Sequence, residues 1–190
     1  MKINLLALDD VFDTGLSIML DTFSTANELA EMMALTSLRF DVNVIGMRSK
    51  VRTAQGLILP TVAAKNWRMP DWIVIPAIGY KMPGPLAQAL ERQDVKDAVA
   101  KIAAQAAQGV KIAAACIGTF ILAESGLLDG ENATTTWWLA PFFRERYPQI
   151  RLDESRMLVS SGQLVTAGAA LGHIDLALWI IRQSSPELAT

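Results

Sequence analysis

Val110 to Gly130 reads V-K-I-A-A-A-C-I-G-T-F-I-L-A-E-S-G-L-L-D-G and holds the only cysteine of the chain, Cys116, near its centre. Lys111 to Ala115 is a short run of small apolar residues of strand length. From Ile117 onward the spacing becomes helical, with Phe120, Ile121, Glu124 and Leu127 or Leu128 recurring every three or four residues. Cys116 therefore falls at a strand-to-helix corner. The first-turn N–H groups of such a helix lack intrahelical partners and face whatever lies above the cysteine, so they can hold an anion or lower the thiol pKa. Gly118 leaves room for the tight turn. The pattern is that of a nucleophile elbow with Cys in place of Ser, and the N–H of Ile117 is one candidate oxyanion donor. A lone cysteine in an apolar run also fits plain core packing, because free Cys is among the most buried residue types.

The chain has 190 residues, 52% hydrophobic and 19% charged, which suits a single domain with one well-buried core. A formal net charge of -2 gives no basic footprint for gripping a nucleic-acid backbone. One cysteine excludes an internal disulfide and any zinc site that needs two or more thiolates. No paired His and carboxylate ligands occur at metal spacing, and no motif calls for a cofactor. Met1-Lys2 is followed by a short apolar stretch that meets Asp9 and Asp10, unlike a signal peptide, so the expected compartment is the cytoplasm. The longest charge-free apolar stretch, 112 to 123, covers 12 residues, whereas a membrane span needs about 20.

Outward from the elbow, strand and helix signals alternate. Ile3 to Leu8 reads as one apolar run, the pattern of a strand buried on both faces. Asp13-Thr14-Gly15 makes a loop, and Leu16, Met19, Leu20, Phe23 and Leu29 to Met33 carry helical spacing. Phe40 to Ile45 is a second strand, and Val51 to Val62 suggests an extended excursion at a sheet edge. Trp72 to Ile75 is a third buried strand, with Ala77, Ile78, Gly79 and Tyr80 in the loop at its carboxyl end. One helix is expected over Pro83 to Gly109. Asn132 to Trp138 reads as a strand, Phe142 to Tyr147 as a helix stopped by Pro148, and 157–160 with 164–166 as a hairpin. The last helix spans about Gly168 to Gln183, and Ser184 to Thr190 has linker composition. This alternation predicts an α/β fold with a mainly parallel, doubly wound sheet flanked by helices. Ligands bind such sheets beyond the carboxyl ends of the strands, where Asp13, Ala77 to Gly79 and Cys116 converge.

The segment A-C-I-G-T-F-I-L-A-E-S-G-L-L-D-G-E-N-A-T-T-T-W-W, Ala115 to Trp138, is followed by R-Y-P at Arg146 to Pro148 and T-A-G-A-A-L-G-H-I-D-L-A-L at Thr166 to Leu178. Together these resemble the class I glutamine amidotransferase-like domain of the PfpI superfamily, in the branch that forms the amino-terminal half of AraC-type transcriptional regulators. The resemblance covers nearly the whole chain. It implies a flavodoxin-like sensory domain over 1–183, a linker beginning at 184–190, and a helix-turn-helix domain beyond Thr190 through which DNA is bound. It also implies a small-molecule effector and a homodimer.

In catalytic relatives a histidine closes the A-T-T-H segment after the elbow helix and activates the cysteine. Here the matching residues are Ala133-Thr134-Thr135-Thr136, so Thr136 stands where the histidine would be, and a hydroxyl cannot act as a base near neutral pH. The family's acidic residue is matched only out of register by Asp13 or Asp10. Its Gly-Gly oxyanion segment is matched loosely by Ala77 and Ile78. His173, the only histidine, reads as a polar helix-start residue at the domain surface or under a loop, and Asp175 as a first-turn acid. Of Trp137 and Trp138, at least one is expected in the core, with Trp137 lining a pocket over Cys116. The expected ligand pocket is Cys116, Ile117, Gly118, Asp13, Ala77, Ile78, Gly79, Thr136 and Trp137. The resemblance implies a non-catalytic domain that senses a small molecule and dimerises. Two alternatives stand beside it: a Cys116-dependent hydrolase or hydratase, and a redox or electrophile sensor using the same thiol.

Overall fold

The computed structural model describes residues 1–35 and 37–190. The apolar runs become the strands β1 (Lys2–Leu6), β2 (Asp41–Gly46), β6 (Trp72–Ile75) and β7 (Lys111–Ala115), and the short edge pieces are β3 (Lys50–Arg52), β4 (Ile58–Pro60) and β5 (Val62–Ala63). Later come β8 (Asn132–Ala133), β9 (Arg151–Leu152), β10 (Leu158–Ser161) and β11 (Leu164–Ala167). The helices are α1 (Asp13–Met32), α2 (Pro83–Leu90), α3 (Gln93–Ala106), α4 (Gly118–Ala123), α5 (Ala140–Arg146), α6 (Gly172–Arg182) and α7 (Pro186–Ala189).

A seven-stranded sheet runs β10-β11-β7-β6-β1-β2-β5. Only β10 is antiparallel, paired with β11 in the expected hairpin; the other contacts, such as β1 with β2 and with β6, are parallel. Taking the central parallel strands in chain order gives 2-1-3-4-5, the flavodoxin-like winding. Strand residues alternate between two cores. Ile3, Leu5, Trp72 and Val74 pack with Met19 and Phe23 of α1 and with Leu176 and Ile180 of α6. Leu6, Ile73, Ile75 and Ala114 pack with Leu90, Ile102, Phe120 and Phe143 on the other face.

Four expectations need correction. The helix expected over Pro83 to Gly109 is two, because Arg92 takes an extended conformation, with φ -62° and ψ 147°. Its guanidinium is drawn out of helical register by Asp94 (2.7 Å), Asp10 (3.0 Å) and the carbonyl of Asp9 (2.9 Å). The strand expected over Asn132 to Trp138 stops at Ala133 because threonine hydroxyls replace the ladder: the N–H of Thr134 donates to Thr166 Oγ1, and the Thr134 hydroxyl to the carbonyl of Arg156. The last helix begins at Gly172, after a loop in which Ala169 is left-handed. Finally, Ser184 to Thr190 is not loose. Ser185 caps α7, which buries Leu188 and Ala189 against α1 and α6.

Candidate functional site: the cysteine elbow

The chain leaves β7 and turns into α4 through a single strained residue. Cys116 has φ +55°, a left-handed conformation that a side chain adopts at a cost of roughly 1 kcal/mol or more. Two backbone bonds hold it there, from its N–H to the carbonyl of Ala167 (2.7 Å) and from the N–H of Thr119 to its own carbonyl (3.2 Å). That carbonyl also accepts the Thr135 hydroxyl at 2.7 Å. Gly118 is required by close approach, since a Cβ there would stand 2.2 Å from the carbonyl oxygen of Ile75 and 2.8 Å from that of Pro76. The elbow inferred from the change of spacing at Ile117 is therefore present.

Its chemistry is muted. Cys116 is 3% exposed, and burial pushes the thiol up to about 11. The Ile117 N–H and the Thr136 hydroxyl act in the opposite direction, favouring the thiolate, but burial dominates. Thr136 is wholly buried, and its hydroxyl oxygen has no partner of standard hydrogen-bond geometry among the described residues.

The loops around the elbow are stitched to one another. Val11, beyond β1, bridges both Thr53 and Ile78. The N–H of Phe12 donates to Ala77 (2.8 Å) and that of Gly79 to Asp10 (2.7 Å). One oxygen of Asp13 accepts from the N–H of Gln55 (3.0 Å), while the other is buried without a partner among the described residues. A Cβ on Gly79 would meet that of Ala54 at 2.6 Å, so this glycine permits the stitching. Of the two tryptophans, Trp138 packs against the core and donates to the carbonyl of Lys81, whereas Trp137 is 68% exposed.

His173 is not at the surface. It is fully buried, and its two ring nitrogens are both used: Nε2 accepts the N–H of Ala77 at 3.1 Å, and Nδ1 lies 3.0 Å from the carbonyl of Ala170. The ring must carry its proton on Nδ1 to satisfy both bonds. Desolvation lowers its pKa to about 4. It sits against Gly15, where a Cβ would come within 2.5 Å of Nε2, and its ring centroid is 5.9 Å from that of Phe12. A neutral imidazole thus ties the start of α6 to the loop after β6. The Ala77 N–H, one of two loosely matched oxyanion donors, is consumed in the process.

Sequence reasoning missed this role, and also the Arg92 cluster and the Thr135 bond to the elbow. The Arg92 cluster left one legible signal, an Arg-x-Asp spacing at 92–94 inside an otherwise apolar-striped helix. The contact of His173 with Ala77 left none, because its partner is a backbone group 96 positions away.

Comparison with known proteins agrees with this geometry. The DJ-1/PfpI family model matches residues 1–183. The HTH-type transcriptional regulator CdhR of Pseudomonas aeruginosa is 37% identical over 82 residues, 43% of this chain and 24% of that protein. An isonitrile hydratase of Pseudomonas putida is 30% identical over 135 residues, 70% of this chain and 54% of that enzyme. Both alignments thus span little more than half of the relative at most. Among solved structures, a putative transcriptional regulator from Vibrio parahaemolyticus superposes with a TM-score of 0.81 at 20% identity, covering 100% of this chain and 94% of that one. An AraC family regulator from Pseudomonas putida gives 0.77 at 19%, covering 99% and 95%. These two likenesses establish the fold. With an elbow cysteine on a flavodoxin-like sheet and a family model matched from residue 1 to 183, the chain belongs to the DJ-1/PfpI family, and HTH-type transcriptional regulators are among its relatives.

Proposed function

We propose that this chain is the non-catalytic, small-molecule-sensing and dimerising domain of a cytoplasmic AraC-type transcriptional regulator, with DNA contacted by a domain beyond Thr190. The observation that carries the reading is an elbow kept without a base. Cys116 holds the strained geometry of a nucleophile, yet Thr136 stands beside it and the only histidine is kept neutral by burial and held in place by Ala77 and Ala170. Strain that chemistry does not use is consistent with a site retained for recognition. The effector pocket would comprise Cys116, Ile117, Gly118 and Thr136, with Asp13 at the start of α1, Ala77 to Gly79 on the facing loop and Trp137 at the rim. The unpartnered Thr136 hydroxyl would be its first polar contact. Occupancy changes the regulator only through differential affinity for two of its states.

The rival is a Cys-dependent hydratase or hydrolase, favoured by the similarity to the isonitrile hydratase. It requires a thiolate at neutral pH and a group to move protons, and both are disfavoured by the burial of Cys116 and the threonine at 136. Two experiments separate the readings. Sequencing the gene past the Thr190 codon should reveal two helix-turn-helix patterns with a basic face; a stop codon there removes the regulator reading. Isonitrile turnover by the protein should not exceed that of Cys116→Ala, and a clear excess establishes the hydratase.

A further inference from the structure

Between β2 and β6 the chain supplies no α-helix among the described residues, only the β3–β4 hairpin, β5 and one short 3-10 turn. The result is a cleft of about 350 Å³ over the amino-terminal halves of β1 and β2, at the opposite end of the sheet from Cys116. That volume falls within the range of small-molecule sites, about 300 to 1,000 Å³. Its floor is a two-by-two polar patch: Lys2 pairs in register with Asp41, and Asn4 with Asn43. Alternate strand residues share a face, and the next positions in these two rows, Leu6 and Ile45, are core residues. The rows therefore change from apolar to polar where the cleft begins.

Asn4 is the anomaly. It is 5% exposed in a central strand, yet its carboxamide makes one bond among the described residues, a long 3.3 Å donation to the carbonyl of Arg68. A carboxamide offers two donors and an acceptor with two lone pairs, most of them unused within the protein, and its oxygen is not shut off from solvent as one oxygen of Asp13 and the hydroxyl of Thr136 are, so the free capacity opens on the cleft. The fold makes no other use of it. Lys2, Asp41 and Arg68 also line the cleft, and none of their charged groups takes part in an ion pair or a side-chain hydrogen bond among the described residues. The wall is fixed: Trp67 Nε1 donates to the carbonyls of Gly46 (3.2 Å) and Val62 (3.0 Å), and Lys101 lies 5.0 Å over its ring.

Both signs of charge flank the neutral amides, with Lys2 across from Asp41 and Arg68 on the wall, so a ligand of a single sign would face its like on one side. We infer that this cleft binds a small zwitterion of the free α-amino acid class, its carboxylate toward Lys2 and Arg68, its ammonium toward Asp41, and further polar groups on Asn4 and Asn43. This site is independent of the elbow.

The test is thermal unfolding of the protein with each standard L-amino acid at about 10 mM, beside acetate and methylammonium as single-charge controls. At least one amino acid should raise Tm by about 2 °C or more while both controls do not. The rise should vanish in Asn4→Leu and in Asp41→Asn, and persist in Glu145→Gln, a surface change elsewhere. Asp41 is exposed, so its variant keeps the test available if Asn4→Leu folds poorly. The inference is overturned if no amino acid shifts Tm, if acetate or methylammonium does as well, or if the rise survives both cleft variants.

Discussion

Cys116 and His173 lie beneath the same end of the sheet and are both almost fully buried, and a sequence reader looking for a nucleophile and its base would want to join them. Their surroundings differ completely. Both ring nitrogens of His173 are satisfied, by Ala77 and Ala170, while the Thr136 hydroxyl beside Cys116 is buried with no partner of standard hydrogen-bond geometry among the described residues. Buried polar groups with complete hydrogen bonding are structural, whereas unsatisfied ones mark places where the fold has left capacity unused. Equal burial therefore conceals a staple in one case and, in the other, the site we propose.

The sharpest way to break this contrast is to deform each region. Gly118→Ala should be the most damaging change. Its Cβ would collide with backbone rather than with a movable side chain, for a loss of about 3 kcal/mol or more in denaturant unfolding. His173→Leu should cost roughly 2–3 kcal/mol by leaving the Ala77 N–H unpaired. A loss below about 0.5 kcal/mol would deny the histidine its role as a staple.

The two groups also predict opposite pH limbs. His173 is folded neutral with its pKa depressed to about 4, so its contribution is complete above the unfolded value of about 6.5 and is lost as pH falls toward 4. Cys116 is raised to about 11, so its contribution is complete below about 8.5 and is lost as pH rises toward 11. Stability measured against pH should therefore plateau between these limits. His173→Leu should flatten the acid limb alone, and Cys116→Ser the alkaline limb alone. The smallest expected effect is that of Trp137→Ala. With the ring 68% exposed, it should change stability by no more than about 0.5 kcal/mol.

Much of the fold was legible because it rests on local pattern. The buried strands at Trp72–Ile75 and Lys111–Ala115, the hairpin around Gly162 and the elbow at Cys116 all follow from runs, periods and turn residues. Misreadings arose where tertiary contacts overrode that pattern. Arg92 breaks a well-striped helix because Asp10 and the Asp9 carbonyl, from the loop after β1, compete for it together with Asp94 two residues on, and Thr134 leaves its strand because hydroxyls satisfy the backbone. Ser184 to Thr190 has linker composition but caps itself with Ser185 and buries two side chains against α1 and α6. Asn4 was the signal passed over, a polar residue inside what reads as an apolar strand. That Thr136 stands in place of a base is what the family resemblance implies. The consumption of the Ala77 N–H was not, because a donor's partner is a fact of three dimensions.

The most direct measurement is a pH titration of the Cys116 thiolate absorbance in the native protein, with Cys116→Ser as blank. The expected result is an apparent pKa of about 11 and alkylation at neutral pH roughly 300-fold slower than that of a free thiol. A thiolate already formed at neutral pH, with a pKa below about 7, would contradict it and return the chain to the enzymes.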